Sequence, residues 1–204
     1  MPVKAFDDAK SRLRPVLDAE QRRELVRGLM LRSLETLQSC RRIDQVVVVS
    51  SDREALRLAE AGGATALAES GSGLNAALKE AQLHAVEHGA ASLLALASDL
   101  PLLTTADLDA LIVAGRDAGV VIAPDRARQG TNALLLRPAA AIEFSFGKSS
   151  FQRHLALTQA AGLTAAEVSR RGLTFDVDLP QDWLDLLASG WVGLLSTEPS
   201  RHGA

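Results

Sequence analysis

Apolar residues recur along this chain with two different spacings, one typical of α-helices and the other of β-strands. Between residues 19 and 39, leucines recur at helical spacing among charged residues, which predicts an amphipathic helix. The run of valines after Gln45 is bounded by polar residues and predicts a central β-strand. Further helices are predicted at residues 52–61, 74–88, 105–114, 151–161 and 180–187, and further strands at 65–68, 92–98, 120–124, 133–136 and 174–178. This order predicts an α/β fold, a three-layer α/β/α sandwich around a mostly parallel, mixed sheet.

Composition adds limits on size and partners. Of the 204 residues, 47% are hydrophobic and 23% charged, and we predict a single domain over residues 1–195 with a disordered tail over 196–204. The net charge of −3 excludes a general basic surface for nucleic acid. A single cysteine, Cys40, excludes an internal disulfide, and no apolar run approaches the ~20 residues of a membrane helix. We expect a cytoplasmic protein without nucleic-acid or membrane partners.

An acid at the end of a buried apolar strand is the first candidate site residue. Asp99 follows the predicted strand at 92–98, and Pro101 ends the apolar run. In open α/β sheets, ligands bind at the carboxyl ends of the strands, where a carboxylate can hold a divalent metal against a phosphate. The alternative is that Asp99 caps the turn or helix that follows.

Two further acids belong to the last predicted strand. Asp176 and Asp178 alternate with the apolar Phe175 and Val177, so both carboxylates would share one face. Neighbouring like charges repel unless a cation lies between them. Together with Asp99, this pair favours a metal site over a purely structural role.

A basic segment near the N-terminus supplies candidate phosphate ligands. Lys4, Lys10 and Arg12 occur within a few residues of one another. Lysine and arginine can neutralise a triphosphate, and a guanidinium can bind two oxygens at once. No glycine-rich phosphate loop of the GxGxxG or Walker type is present here, so side chains would hold the phosphates. The same cations would also be ordinary on a solvated surface.

Loops before two of the predicted helices carry the remaining candidates. Gly73 would let the backbone approach a planar base, and Asn75 offers a donor and an acceptor for a base edge. A plain turn with Asn75 as cap is the alternative.

Hydroxyls and backbone donors are abundant in two further segments, the loop with Thr131 and Asn132 and the segment from Gly147 to Ser150. The second runs into a helix, whose N-terminus suits an anion, although a simple serine cap would have the same sequence. His84 and His88 share a helix face, but without a third ligand we interpret them as surface or packing residues.

These motifs occur in one order along nearly the whole chain. They comprise Pro2-Val3-Lys4 with Lys10-Ser11-Arg12-Leu13, Ser98-Asp99-Leu100-Pro101, Asp125-Arg126 with Gly130-Thr131-Asn132-Ala133-Leu134, Phe146-Gly147 with Ser150-Phe151 and His154, and Asp176-Val177-Asp178-Leu179-Pro180. Together they resemble the 2-phospho-L-lactate guanylyltransferase family. The resemblance implies a glycosyltransferase A-like nucleotidyltransferase fold and transfer of GMP from GTP to a phosphorylated acid, with release of pyrophosphate, in coenzyme F-420 biosynthesis. Members use 2-phospho-L-lactate, phosphoenolpyruvate or 3-phospho-D-glycerate.

The resemblance also implies roles for individual residues. Asp99 and one acid of the last strand, Asp178 or Asp176, would bind Mg²⁺, and Thr131, Gly147 and Ser150 would hold the acid. The Lys10 segment takes the place of the glycine-rich signature loop of related sugar nucleotidyltransferases. We therefore predict catalytic roles for Lys10, Arg12 and Asp99 and substrate binding by Lys4, Gly73, Asn75, Thr131, Asn132, Gly147 and Ser150. His154 would support the acid site.

Phosphoenolpyruvate is our first choice of acid, because the richness in Ala, Leu and Arg suggests a bacterial chain, and the prediction allows for a homodimer. Two alternatives stay open: a non-catalytic nucleotide-binding regulatory module, and a glycosyltransferase-like or other nucleotidyltransferase with a different acceptor.

Overall fold

A computed structural model describes residues 1–71 and 73–191. Its helices are α1 (Ala19–Ser39), α2 (Arg53–Ala61), α3 (Leu74–Glu87), α4 (Thr105–Ala114), α5 (Ser150–Ala160), α6 (Arg171–Thr174) and α7 (Pro180–Ala188). Its strands are β1 (Val47–Ser50), β2 (Thr65–Ala68), β3 (Leu93–Leu96), β4 (Val120–Pro124), β5 (Thr131–Leu136) and β6 (Ala165–Glu167). Two short 3-10 helices, Phe6–Asp8 and Ser11–Leu13, precede α1.

The strands form a mixed arrangement. β1 and β2 pair in parallel, and β3, β5, β4 and β6 lie side by side in that order. β5 is antiparallel to both of its neighbours, whereas β4 and β6 are parallel. Among the described residues, the strand before Asp99, which we expected in a parallel sheet, pairs only with the antiparallel β5. The α/β class with a mixed sheet is confirmed.

One edge of the sheet collects the predicted site residues. Leu96 and Ala123 both pair with Ala133, so the ends of β3 and β4 lie beside the beginning of β5. The N-terminal segment runs parallel to β1, because Pro2 forms a parallel bridge with Val49 near the end of that strand. Asp99, which follows β3, and Thr131, which begins β5, therefore lie at the same end of the sheet.

The predicted strand at 174–178 is wrong. Thr174 ends α6, and residues 175–178 have no strand partner. The alternation of side chains nevertheless survives, because Phe175 and Val177 are buried against α1 and α7 residues, while Asp176 and Asp178, which alternate with them, stay half-buried. An extended segment needs no ladder to alternate its side chains. Here the packing of the apolar pair replaces the missing strand neighbour.

The remaining differences concern short elements and the chain ends. β6, α6 and the two 3-10 helices were not predicted, because each is too short to show a period. Cys40 is buried. The tail predicted at 196–204 lies outside the described residues. A cavity of about 400 Å³ opens beside Val47 and Leu94, and its lining includes none of the predicted site residues.

Candidate active site

Lys10 joins two of the three predicted acids. Its Nζ lies 2.5 Å from Asp99 Oδ2 and 2.7 Å from Asp178 Oδ1, while the Lys10 side chain is only 8% exposed. Burial alone would lower the pKa of Lys10, but the two carboxylates raise it above its usual value, so the ammonium stays charged. Asp99 does not cap the next helix, because Thr104 is the N-cap of α4. The alternative that Asp99 caps the following helix is therefore wrong, and its functional role stays a prediction.

The backbone of Lys10 is also unusual. Its φ of 54° is left-handed, a conformation that costs free energy for a residue with a Cβ and persists where surrounding contacts enforce it. The side chain of the same residue makes the two ion pairs with Asp99 and Asp178.

Asp176 completes the carboxylate cluster, by which we mean Asp99, Asp176 and Asp178 together with Lys10. Burial and then the negative charges of Asp99 and Asp178 raise the pKa of Asp176 to about 6. Burial also opposes ionisation of Asp178, but Lys10, Arg12 and Lys4 outweigh it and lower its pKa below the usual value. Two acids from one segment therefore have opposite electrostatic surroundings.

The predicted cations Arg12 and Lys4 lie near this cluster. Arg12 Nη1 is 3.9 Å from Asp178 Oδ2, and its side chain is 72% exposed. Lys4 is exposed, close enough for its charge to act on Asp178. Both side chains have the freedom to contact an approaching anion.

Helix α7 holds Asp178 in place. Asp182 Oδ2 accepts hydrogen bonds from the backbone N–H of Asp178 and Leu179, at 2.9 and 2.7 Å, as a first-turn acid can. Arg126 pairs with Asp182 and stacks on the Phe175 ring at 4.4 Å. The role of Arg126 was missed from the sequence, although Arg126 belongs to one of the motifs.

Strand β5 has a bulge at Asn132, next to Thr131. Ala123 pairs with Ala133 and Pro124 with Thr131, so Asn132 has no residue opposite on β4. Such a bulge re-aims the side chains around it. Asn132 Nδ2 donates to Leu173 O at 3.0 Å and lies 3.5 Å from Asp176 Oδ1, whereas Thr131 turns toward α5.

Thr131 belongs to what we call the hydroxyl network, formed with Ser150 and His154. Thr131 Oγ1 lies 3.3 Å from Ser150 Oγ and 3.0 Å from His154 Nδ1. On the other side of the ring, Nε2 accepts the backbone N–H of Ser145 at 3.0 Å. The structure brings together two of the three residues predicted for the acid, and the His154 ring contacts one of them, Thr131. The role of His154 at the acid site stays a prediction.

The loop before α5 carries the third residue, Gly147. Its φ of 112° is a conformation that favours glycine. Ser149, the N-cap of α5, makes no capping hydrogen bond with its side chain, and Ser150 directs its hydroxyl to Thr131. The alternative of a simple serine cap is therefore not what the structure shows.

Asn75 and Gly73 lie beside this loop. The Asn75 amide donates to Phe146 O at 3.2 Å and accepts from Phe146 N at 2.8 Å, so it ties the first turn of α3 to the 144–149 loop. Gly73 is the N-cap of α3 with a φ of 93°. Asn75 is thus not a helix cap, and its role at a base edge stays a prediction. Sequence analysis missed Phe146 as its partner, because a backbone contact leaves no residue-type signal.

The carboxylate cluster is chemically suited to Mg²⁺. Mg²⁺ is commonly held by one or two carboxylates plus phosphate oxygens of a substrate, and Asp99 and Asp178 already converge on one positive charge. Within residues 1–71 and 73–191, no three His, Cys, Asp or Glu side chains are arranged as a complete metal site. Phosphate oxygens would therefore have to supply part of the coordination. His84 and His88 stack on each other, with ring centroids 4.1 Å apart.

Comparison with known proteins now identifies the family. A family model described as "Guanylyl transferase CofC like" matches residues 1–193. The chain belongs to this family. Over 198 residues it is 42% identical to a phosphoenolpyruvate guanylyltransferase of Sphaerobacter thermophilus, covering 97% of this chain and 96% of that protein. Over 191 residues it is 32% identical to a 2-phospho-L-lactate guanylyltransferase of Methanothermobacter thermautotrophicus, covering 93% and 83%. The recognised family and the enzyme class of guanylyltransferase are confirmed.

Solved structures agree on the fold. CMP:2-keto-3-deoxy-manno-octonic acid synthetase superposes with a TM-score of 0.60 at 14% identity, covering 93% of this chain and 95% of that one. A 4-diphosphocytidyl-2C-methyl-D-erythritol synthase gives a TM-score of 0.60 at 16% identity, with coverage of 78% and 86%. The nucleotidyltransferase fold is confirmed. Among the described helices, none combines the length and apolar character needed to cross a membrane.

Proposed function

We propose that this protein transfers GMP from GTP to the phosphate of a small phosphorylated carboxylic acid in the synthesis of coenzyme F-420. Phosphoenolpyruvate is the proposed acid, because a relative named for it is 42% identical across nearly the whole chain. A phosphate oxygen of the acid bonds to the α-phosphorus of GTP, and the bond from that phosphorus to the pyrophosphate oxygen breaks. This reaction needs no protein nucleophile.

The observation that carries the proposal is the bridge from Lys10 to Asp99 and Asp178. It concentrates a buried ammonium and two carboxylates at the sheet edge where α/β folds bind ligands. Phosphoryl chemistry depends on positioning and on neutralising charge at the transferring group. Lys10 would contact the phosphates of GTP, with Arg12 and Lys4 as exposed cations around them.

Asp99 and Asp178 would hold Mg²⁺, with Asp176 as a further ligand or close neighbour. When bound, the ion would offset negative charge on the phosphates. Thr131 and Ser150 of the separate hydroxyl network, together with Gly147, would hold the acid. A cytoplasmic location and a homodimer stay predictions.

Pyrophosphate release tests this function directly. The wild-type protein is incubated with Mg²⁺, each of GTP, ATP, CTP and UTP, and each of the three candidate acids. We expect release with GTP and phosphoenolpyruvate above all other pairs. Nucleotide binding without release would favour the regulatory module, and release only with other acceptors would favour the alternative transferase.

A further inference from the structure

His154 is fully buried, and hydrogen bonds occupy both of its ring nitrogens. The backbone N–H of Ser145 can only donate, so His154 Nε2 must present a lone pair to it. In a neutral imidazole the hydrogen then resides on Nδ1. Burial and the nearby charge of Arg153 lower the pKa of His154 to about 4, which keeps the ring neutral near pH 7. His154 is therefore a donor to Thr131.

This direction determines what the two hydroxyls can offer. Thr131 Oγ1 accepts from His154 and is the neighbour of Ser150 Oγ. Of the two hydroxyl hydrogens, one serves the bond between Thr131 and Ser150. The hydrogen bonds among the described residues give the second hydrogen no protein acceptor. The Thr131 and Ser150 hydroxyls therefore have one hydrogen that can be donated to another group.

Packing holds the ring in this orientation. The Phe146 ring meets the imidazole edge-on with centroids 4.9 Å apart, and Thr158 Oγ1 donates to the His154 carbonyl at 2.7 Å. Thr131 is 7% exposed and Ser150 1% exposed, so little water competes for the spare hydrogen. A buried donor without a partner is costly, and an anionic acceptor would relieve that cost.

We propose that His154 is a positioning residue. Because it donates to Thr131, the Thr131 and Ser150 pair keeps one hydroxyl hydrogen that it can donate to the phosphate or carboxylate of the acid substrate. Both of these groups are acceptors when ionised. The histidine acts through Thr131 and makes no contact with substrate. This inference rests on the proposed function and deepens its acid subsite.

Two substitutions at His154 separate its two hydrogen bonds. In His154→Asn the amide can replace Nδ1 and still donate to Thr131, whereas in His154→Gln the longer amide can replace Nε2 and serve only Ser145. We expect His154→Gln to raise KM for phosphoenolpyruvate about 10-fold and His154→Asn to raise it less than about 3-fold. KM for GTP should change less than about 2-fold in both. A purely structural histidine would give no preference for Asn.

A double substitution tests whether the effect passes through Thr131. Thr131→Val keeps the shape and removes the hydroxyl, and it should raise KM for the acid about 10- to 100-fold. Adding His154→Gln to Thr131→Val should then raise it little further, because interacting residues are not additive. Multiplied effects, or equal rises of KM for GTP and acid, would overturn the proposal.

The controls separate folding and function from this inference. Thermal unfolding identifies any His154 variant that does not fold. In that case unchanged acid KM in both Thr131→Val and Ser150→Ala would overturn the proposal, and a selective rise would support it. Wild-type protein that releases no pyrophosphate with GTP and any of the three acids would instead overturn the proposed function, and this inference with it.

Discussion

The carboxylate cluster and the hydroxyl network leave the same edge of the sheet but are built differently. The first is charged and partly wet: the Asp99 and Asp178 side chains are 27% and 46% exposed around a buried Lys10. The second is neutral and dry, with His154 and Ser150 almost completely buried. The carboxylate cluster consists of ions that need a counter-charge. The hydroxyl network consists of neutral groups whose hydrogen bonds have a fixed direction.

The difference indicates a division of labour. Exposed carboxylates can exchange a lysine partner for a cation that arrives with the nucleotide, because water lowers the cost of the exchange. A buried neutral network cannot rearrange as cheaply, so it suits recognition of one group in one orientation. We therefore expect substitutions in the carboxylate cluster to reduce kcat and those in the hydroxyl network to raise KM for the acid.

The largest expected effect is that of Asp99→Asn. The change keeps the size of the side chain and removes one of the charges that Lys10 joins. We expect kcat to fall on the order of 10²- to 10³-fold, the loss typical of removing one electrostatic contact from a transition state. Steady-state pyrophosphate release measures it.

Asp44→Asn is the matched control, since Asp44 is exposed and precedes β1, at the opposite end of that strand from the site. If the kcat of Asp99→Asn stays within about 3-fold of wild type, Asp99 is not catalytic and the proposed division of labour between the two regions is wrong.

The carboxylate cluster was largely accessible from the sequence. Asp99 follows an apolar run, and Asp176 and Asp178 alternate with buried residues, so residue type and spacing placed all three together. The reason given for the last two was wrong, because residues 175–178 belong to no strand. Alternation depends on an extended backbone and apolar anchors, both of which are present without a sheet partner.

The hydroxyl network was accessible only in part. The segments with Thr131, Gly147 and Ser150 were noted for their hydroxyls and backbone donors, and the family resemblance assigned them to the acid. The contacts among Thr131, Ser150 and His154 depend on a bulge in β5 and on a loop with two residues of positive φ. Neither feature has a period or a composition that marks it. The lysine that joins Asp99 to Asp178 was likewise expected at the phosphates, and its ion pairs required the tertiary structure.

The substitution Asp176→Asn tests the electrostatics of the carboxylate cluster, and its expected effect is intermediate in size. The pKa of Asp176 is raised to about 6, so its ionised form destabilises the folded state. That destabilisation is absent below about pH 4, grows as pH rises through 6 and is complete above it. We expect Asp176→Asn to increase the free energy of unfolding by about 1 to 3 kcal/mol at pH 8 and to leave it unchanged at pH 4.

Urea unfolding in EDTA at both pH values measures this difference, because a chelator keeps divalent cations from neutralising the carboxylates. Asp8→Asn, at an exposed position, is the control and should change stability by less than about 0.5 kcal/mol at either pH. A loss of stability at pH 8 in Asp176→Asn would show that its neighbours stabilise the ionised form, contrary to the arrangement described above.

The smallest expected effect concerns the exposed rim of the cluster. Arg12 is 72% exposed and 3.9 Å from Asp178, so it has no fixed partner to lose but can contact the phosphates of GTP. We expect Arg12→Ala to raise KM for GTP about 3- to 10-fold and to leave KM for the acid unchanged, with the effect shrinking at high salt because exposed charges are screened. Arg14→Ala, which removes an exposed cation two residues further along, should change neither constant. If KM for the acid rises instead, Arg12 belongs to the acid subsite, and the charged and neutral regions would then share one substrate.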